Sequence, residues 1–150
     1  MSEVGSPSPL SDHLDQAMLA DALSTVLRET VFSSSLRVSP RRVAEIGKQF
    51  TLVFFDYYDH ADDPAVQAYG QHLANEGLGP RSVLQTAGAL QRICTERSNP
   101  LKGLPFVASA FNSNLLEGFI VAREKRLLED QERTRKAELA IFRQQQAEAD

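Results

Sequence analysis

Three dipeptides that end in proline divide the middle of the sequence into segments. They are Ser39-Pro40, Asp63-Pro64 and Gly79-Pro80. Proline suits the first turn of a helix, where its missing N–H group has no intrahelical partner, and the residue before it can serve as the N-cap. Each dipeptide also follows a break in an apolar pattern. We therefore predict that a new helix begins at each of these prolines.

The apolar residues after these prolines recur at alternating steps of three and four, a spacing that gathers side chains on one face of a helix. They are Val43, Ile46, Phe50, Val53 and Tyr57, then Val66, Tyr69 and Leu73, and then Val83, Ala87, Leu90 and Cys94. An earlier helix would be capped by Ser11 or Asp12. Its apolar residues are Leu14, Met18, Ala22, Val26 and Leu27. The sequence thus predicts an all-α fold with four core helices.

The last third of the sequence predicts a loop followed by one long helix. Two prolines and a glycine between Ser98 and Asn114 indicate irregular structure. Asn114 can then cap a helix from Leu115 to Asp150, with Glu117 as its reciprocal partner. At 1.5 Å per residue, a helix of about 35 residues is roughly 50 Å long, which exceeds the width of a small domain.

This long helix changes from apolar to polar along its length. The stretch 129–136 is wholly polar, whereas Ile120, Leu127, Thr134 and Ile141 recur every seven residues. A solvated single helix and a two-stranded coiled coil that carries a signal both fit this pattern. The coiled coil is favoured because an isolated helix is marginal in water. The predicted dimer and signalling surface is Leu116, Phe119, Ile120, Arg123 and Leu127.

Composition and charge narrow the function. The 150 residues carry a net charge of −4 and no basic block, so we expect no nucleic-acid partner. No apolar run reaches the roughly 18–20 residues of a membrane span, and no secretion signal is present, so we predict a cytoplasmic protein without a membrane partner. The single cysteine, Cys94, lies on an apolar face and is predicted to be a core residue rather than a redox sensor.

Catalytic and metal-binding candidates are few. The three histidines, His13, His60 and His72, lie in different segments. Four acids and His60 cluster in Asp56–Asp63. A solvated helix end is the favoured interpretation of this cluster, with a metal site as the alternative, because the spacing is not that of an EF-hand. No nucleophile has a convincing base, so we do not expect an enzyme or a bound metal.

A short motif spans the boundary between two predicted helices. It is Gly70-x-x-Leu73-x-x-x-Gly77-Leu78-x-Pro80. This pattern resembles the proximal region of globin-coupled sensors, in which a histidine three residues after the first glycine binds the haem iron. The resemblance implies a globin-like fold for the helical domain.

The motif departs from the haem-binding pattern at the iron ligand. Leu73 stands at the position of that histidine, and His72 lies one residue earlier, which turns its side chain by about 100° around a helix. Ser82-Val83 also stands where haem-binding members commonly have an aromatic pair. Haem is therefore not expected. The alternative is a haem-binding gas or redox sensor that uses His72 or His60.

A globin-like domain without a haem ligand is similar to the N-terminal sensor domains of the RsbR family, which belong to the bacterial stressosome. The resemblance implies a homodimer through the last helices, a connecting helix to a STAS-type output domain, and stressosome proteins as partners. Some relatives of this fold bind fatty acids in the former haem space. A fatty acid or other small apolar ligand is thus the candidate ligand, unless its pocket is simply packed core. The pocket residues would be Phe50, Phe54, Tyr57, Leu73, Val83 and Ala87.

These expectations divide the chain into three parts. Residues 1–10 are predicted to form a flexible tail, residues 11–128 a globin-like sensor and dimerisation domain, and residues 129–150 a linker helix to an output domain. The implied function is that of the sensory and dimerisation domain of a bacterial stress-signalling regulator. A helical dimerisation module without a ligand is a further alternative.

Overall fold

The structure is a computed structural model that describes residues 10–31, 39–97 and 102–149. Within these ranges the chain is helical and has no strand, so the predicted all-α class is confirmed. The helices are α1 (Leu10–His13), α2 (Gln16–Thr30), α3 (Pro40–His60), α4 (Asp63–Asn75), α5 (Pro80–Glu96) and α6 (Leu104–Ala149). The predicted tail lies outside the described residues except for Leu10, which is buried and belongs to α1.

A helix begins at each of the three predicted proline dipeptides. The N-cap of α4, however, lies one residue earlier than predicted. Ser39 caps α3 and accepts a hydrogen bond from the backbone N–H three residues later, at 3.2 Å. Gly79 is the N-cap of α5, without a side-chain hydrogen bond. Asp62, rather than Asp63, caps α4, because the Asp62 carboxylate accepts the N–H of Ala65 at 3.2 Å.

The first predicted helix is divided in two. Asp15 caps α2 and accepts the N–H of Ala17 at 2.9 Å. The predicted caps Ser11 and Asp12 lie inside the short α1 instead. The prediction was wrong because Asp15 offers a carboxylate at the start of the longer helix, where several N–H groups have no intrahelical partner.

The loop predicted between Ser98 and Asn114 is wrong from Leu104 onward; residues 98–101 lie outside the described ranges. Pro105 sits in the first turn of α6, where proline removes no helical hydrogen bond, so it begins the helix rather than ending one. Asn114 is therefore a mid-helix residue and not a cap. Its amide donates to the carbonyl of Ala110 at 2.9 Å.

The helices form two closely packed pairs. Helix α2 packs mainly against α3, and α4 packs mainly against α6, while α5 contacts both α2 and α6. In the first pair the axes approach at Gly47, where an added Cβ would overlap the hydroxyl oxygen of Ser24. This approach is possible because neither residue carries a large side chain at the contact.

The second pair is closer, because a glycine lies on each side of the crossing. A Cβ added at Gly70 of α4 would overlap the carbonyl oxygen of Leu115, and one added at Gly118 of α6 would overlap the carbonyl oxygen of Gln67. Both obstacles are backbone atoms, which cannot rotate away as a side chain can. The spacing between α4 and α6 therefore requires glycine at both positions.

Helix α4 ends in a Schellman motif. The N–H of Gly77 donates to the carbonyl of Ala74 at 3.0 Å, and the N–H of Leu78 donates to the carbonyl of Leu73 at 3.2 Å. Gly77 has a φ of 93°, a conformation that favours glycine. Leu73 and Leu78 are both buried, as the motif's hydrophobic contact requires. This turn sets the direction in which α5 begins.

A polar network joins three helices at the start of α4. The carboxylate of Asp63 accepts hydrogen bonds from the Tyr57 hydroxyl at 2.8 Å and from the Asn114 amide at 3.1 Å. The amide of Gln67 donates to Asn114 at 2.8 Å. Burial, and then the hydrogen bond to Asp63, raises the pKa of Tyr57. The network fixes the register of α6 against α3 and α4.

One 18-residue window of α6 is long and apolar enough, by length and composition alone, to cross a membrane. This finding differs from the sequence expectation that no stretch qualifies. A third of the window, 33%, is buried inside the protein, and core helices of soluble proteins meet the same two criteria. Cytoplasmic location and the lack of a membrane partner thus stay predictions.

The close crossing of α4 and α6 predicts opposite effects for two glycine-to-alanine substitutions. Gly118→Ala should lower the free energy of unfolding by about 2 kcal/mol, because its methyl group meets the backbone of α4. Gly88→Ala in α5 is the control, since nothing lies within 4 Å of an added Cβ. It should raise stability by about 0.5–1 kcal/mol through helix propensity. Urea denaturation measures both, and equal stability of the two variants would contradict the crossing.

Candidate functional site

The three aromatic residues of the predicted ligand pocket pack around one further aromatic ring. Phe111 of α6 lies among the α3 residues Phe50, Phe54 and Tyr57, with ring centroids 5.7, 5.2 and 5.8 Å away. Phe50 also meets Tyr69 of α4 edge to face at 5.9 Å. These distances and tilts are those of favourable aromatic contacts. The space among the three predicted residues is therefore filled by Phe111.

The other three predicted pocket residues are also buried. Leu73 and Val83 belong to the same core cluster as the aromatic residues, and Ala87 is buried on α5. Sequence analysis missed Phe111 because it assigned this residue to a loop. The sequence signal was there: Ala108, Phe111 and Leu115 continue the steps of three and four upstream of the predicted helix start, and all three are buried.

His72 lies on the surface in the last turn of α4, at the edge of the aromatic residues. Its Nε2 is 3.4 Å from Oε1 of Glu76, and its ring stacks on Tyr69 at 6.2 Å. Glu76 also pairs with Arg42 of α3, which raises the pKa of the arginine. The buried Tyr69 hydroxyl has a raised pKa because of desolvation and, next, the charge of Glu76. His72 thus lies beside the Arg42–Glu76 ion pair that joins α3 to the end of α4.

The acidic segment at the end of α3 is engaged in helix contacts. Asp62 is the α4 cap, Asp63 holds the polar network, and Nδ1 of His60 is 3.2 Å from a carboxylate oxygen of Asp56. In the described parts of the chain no three His, Cys, Asp or Glu side chains come together as metal ligands would.

Cys94 is buried in the core as predicted, and burial raises the pKa of its thiol to about 12.

The predicted dimer and signalling residues divide between the two sides of α6. Phe119 is buried against the body of the protein, so it cannot belong to an exposed dimer surface, and Leu116 is partly buried. Ile120, Arg123 and Leu127 are exposed. Phe119 differs from the prediction because the crossing with α4 turns the Gly118 side of α6 inward.

Beyond Ala122 the remainder of α6 runs free of the core. Every residue from Arg123 to Ala149 is exposed, although Arg126 still donates to the carbonyl of Ala74 at the end of α4. At 1.5 Å per residue this exposed segment is about 40 Å long. Within the polar stretch of this segment, Arg133 forms an ion pair with Asp130 at 3.3 Å.

The exposed segment carries large apolar side chains at regular positions. Leu128 is 65% exposed and Phe142 is 55% exposed. The large exposed apolar residues from Ile120 onward are Ile120, Val121, Leu127, Leu128, Leu139, Ile141 and Phe142. Val121, Leu128 and Phe142 fall on a repeat of seven, and Leu139 lies one helical turn before Phe142. We call Val121, Leu128, Leu139 and Phe142 the outer stripe, a surface that sequence analysis did not identify.

Comparison of the chain with protein-family models, with characterised proteins and with solved structures gave no match. The globin-like and RsbR resemblance therefore rests on the Gly70–Pro80 motif alone. In this structure the motif has local roles: Gly70 at a helix crossing, Gly77 in a Schellman turn, and Pro80 at a helix start. Any two helices joined in this way would favour the same residue types.

Phe111 and Phe106, on the same helix, make a matched pair for testing the aromatic cluster. Phe111→Ala should lower the free energy of unfolding by about 3–5 kcal/mol, because it removes the ring that fills the core. Phe106 is 79% exposed, so Phe106→Ala should change stability by less than about 0.5 kcal/mol. Thermal or urea denaturation measures both. Tolerance of Phe111→Ala would mean that the space among the α3 aromatics is open.

Proposed function

We propose that this chain is the dimerising sensory domain of a bacterial stress-signalling regulator, and that α6 carries its signal. The observation behind the proposal is the outer stripe on the exposed half of α6. Removing apolar surface from water is favourable by roughly 25 cal/mol for each Å² that is buried. A second copy of the chain would cover this stripe and form the proposed homodimer.

The length of the exposed segment supports a partner helix. Most helical stability in proteins comes from packing of an apolar face against a neighbour. The stripe supplies such a face, with spacing that suits a helix pair. Contacts among the described residues leave it uncovered, since Leu128, Leu139 and Phe142 are all exposed.

The contacts at the start of the exposed segment support a path by which a signal would pass from α4 to α6. Arg126 donates to the carbonyl of Ala74, which also accepts the N–H of Gly77 in the Schellman motif. Two residues later, Glu76 pairs with Arg42 of α3. A change in the packing of α4 would therefore move the point at which α6 leaves the body. Such a signal requires a ligand or partner that binds one of two arrangements more tightly than the other.

The resemblance at residues 70–80 supports an RsbR-type, globin-like assignment. A STAS-type output domain connected to α6 and stressosome proteins are then the proposed partners, in the cytoplasm. No catalytic role is proposed. A fatty acid or similar apolar ligand in the predicted pocket would have to displace Phe111, whose ring centroid is 5.2 Å from that of Phe54.

Dimerisation through the stripe predicts a specific effect of charge. The chain should elute as a dimer in size-exclusion chromatography with light scattering, and Leu128→Glu should make it monomeric by placing a carboxylate in the apolar contact. The matched control is Ala137→Glu. Ala137 is exposed on the opposite face of α6, so this variant should remain dimeric. A monomeric unmodified chain, or equal effects of the two variants, would contradict the proposal.

A further inference from the structure

The surface between α2 and α3 carries a cleft of about 360 Å³. Small side chains line it on both helices: Ala17, Ala20 and Ser24 on α2, and Ala44 and Thr51 on α3. Steps of three, four and seven residues place them on one face of each helix. The two helices approach closely at Gly47, and the small side chains beside that contact leave the space open. The volume suits a small molecule, since ligand sites in proteins measure roughly 300–1,000 Å³.

Part of the cleft is apolar. Ala17, Ala20 and Ala44 contribute methyl groups, and Leu52, which also lines the cleft, is 49% exposed. A ligand with an apolar side chain would remove these groups from water, which is favourable. The lining therefore favours a molecule with an apolar portion of a few carbon atoms.

Two buried hydroxyl groups lie among these apolar residues. Thr51 is 1% exposed, and its hydroxyl donates to the carbonyl of Gly47 at 2.9 Å, which leaves the oxygen able to accept. Ser24 is 7% exposed, and its side chain forms no hydrogen bond with any of the described residues. A buried hydroxyl without a partner is unfavourable, so the Ser24 oxygen is available to a water molecule or a ligand in the cleft.

Two opposite charges line the same cleft. Asp21 belongs to α2 and Lys48 to α3, and both are exposed. Within the described parts of the chain neither forms an ion pair, with the other or with a third residue. A ligand with a single charge would meet one opposite charge and one like charge here. A ligand that carries both an ammonium and a carboxylate group would pair with both residues.

We propose that this cleft binds a free amino acid with an apolar side chain. Its carboxylate pairs with Lys48, its ammonium group pairs with Asp21, and its side chain covers the alanine methyl groups. The inference goes beyond the proposed function, because it assigns a ligand to helices outside the proposed dimer surface. Both charges are exposed to water, which weakens each ion pair, so we expect a Kd of about 0.1–1 mM.

Titration with L-leucine and two of its analogues tests the ligand class. Isothermal calorimetry should show saturable binding of leucine to the unmodified chain. Isocaproate lacks the ammonium group and isoamylamine lacks the carboxylate, so each should bind at least about fivefold more weakly. An analogue that binds as tightly as leucine would overturn the inference. It would also be overturned if leucine, methionine and phenylalanine all failed to bind at concentrations up to about 20 mM.

Charge-removing variants test the two ion pairs. Lys48→Gln and Asp21→Asn should each weaken leucine binding about fivefold or more, because each removes one partner of the zwitterion. The matched controls are Arg41→Gln on α3 and Glu29→Gln on α2, which remove exposed charges outside the cleft lining and should bind leucine as the unmodified chain does. Equal affinities of all four variants would contradict the assigned pairs.

Filling the cleft is an independent test of its location. Ala44 is exposed, so Ala44→Phe places a ring in the cleft without entering the core. This variant should lose leucine binding while its circular dichroism and Tm stay close to those of the unmodified chain. Unchanged leucine affinity would place the ligand elsewhere and overturn the inference. A monomeric chain would contradict the proposed function but not this inference, because the cleft lies within one copy.

Discussion

The close crossing of α4 and α6 is the contact on which the rest of the structure depends. Gly70 and Gly118 let the two backbones meet, with each position facing a carbonyl of the other helix. This contact brings Phe111 into the centre of the α3 aromatic residues, which joins the two helix pairs into one core. It also determines which side of α6 is turned inward and which side remains in water.

The same crossing explains why α6 has two different halves. The first half is amphipathic and packs against the body, with Phe119 and Ala122 the last buried side chains. Beyond them the exposed half has no body to pack against, yet it keeps large apolar residues such as Leu128 and Phe142. Packing of these apolar side chains against a second copy, as we propose, would stabilise this half without an apolar ligand.

The sequence predicted the parts of the structure that depend on local chemistry. Ser39 and Gly79 begin helices because capping and the first-turn tolerance of proline are local effects. The start of α6 was not predicted, since Pro105 was interpreted as a breaker although it occupies a first turn. Because of that error, Phe111 was assigned to a loop rather than to the core. The predicted pocket residues are all buried, and only tertiary packing shows that Phe111 fills the space among the aromatic ones. Phe119 lies four residues after the buried Leu115 and three before the buried Ala122, so its burial continues the same period.

The most direct test of the account is amide hydrogen exchange along α6 at high and low protein concentration. Dimerisation through α6 predicts protection throughout residues 104–146 when the chain is concentrated. On dilution below the dimer Kd, residues 127–146 should exchange rapidly while residues 104–122 stay protected by the body. Protection is lost selectively because only the outer half depends on the second copy. Rapid exchange of residues 127–146 at every concentration would show that this half is a solvated helix without a partner, and would contradict the central claim.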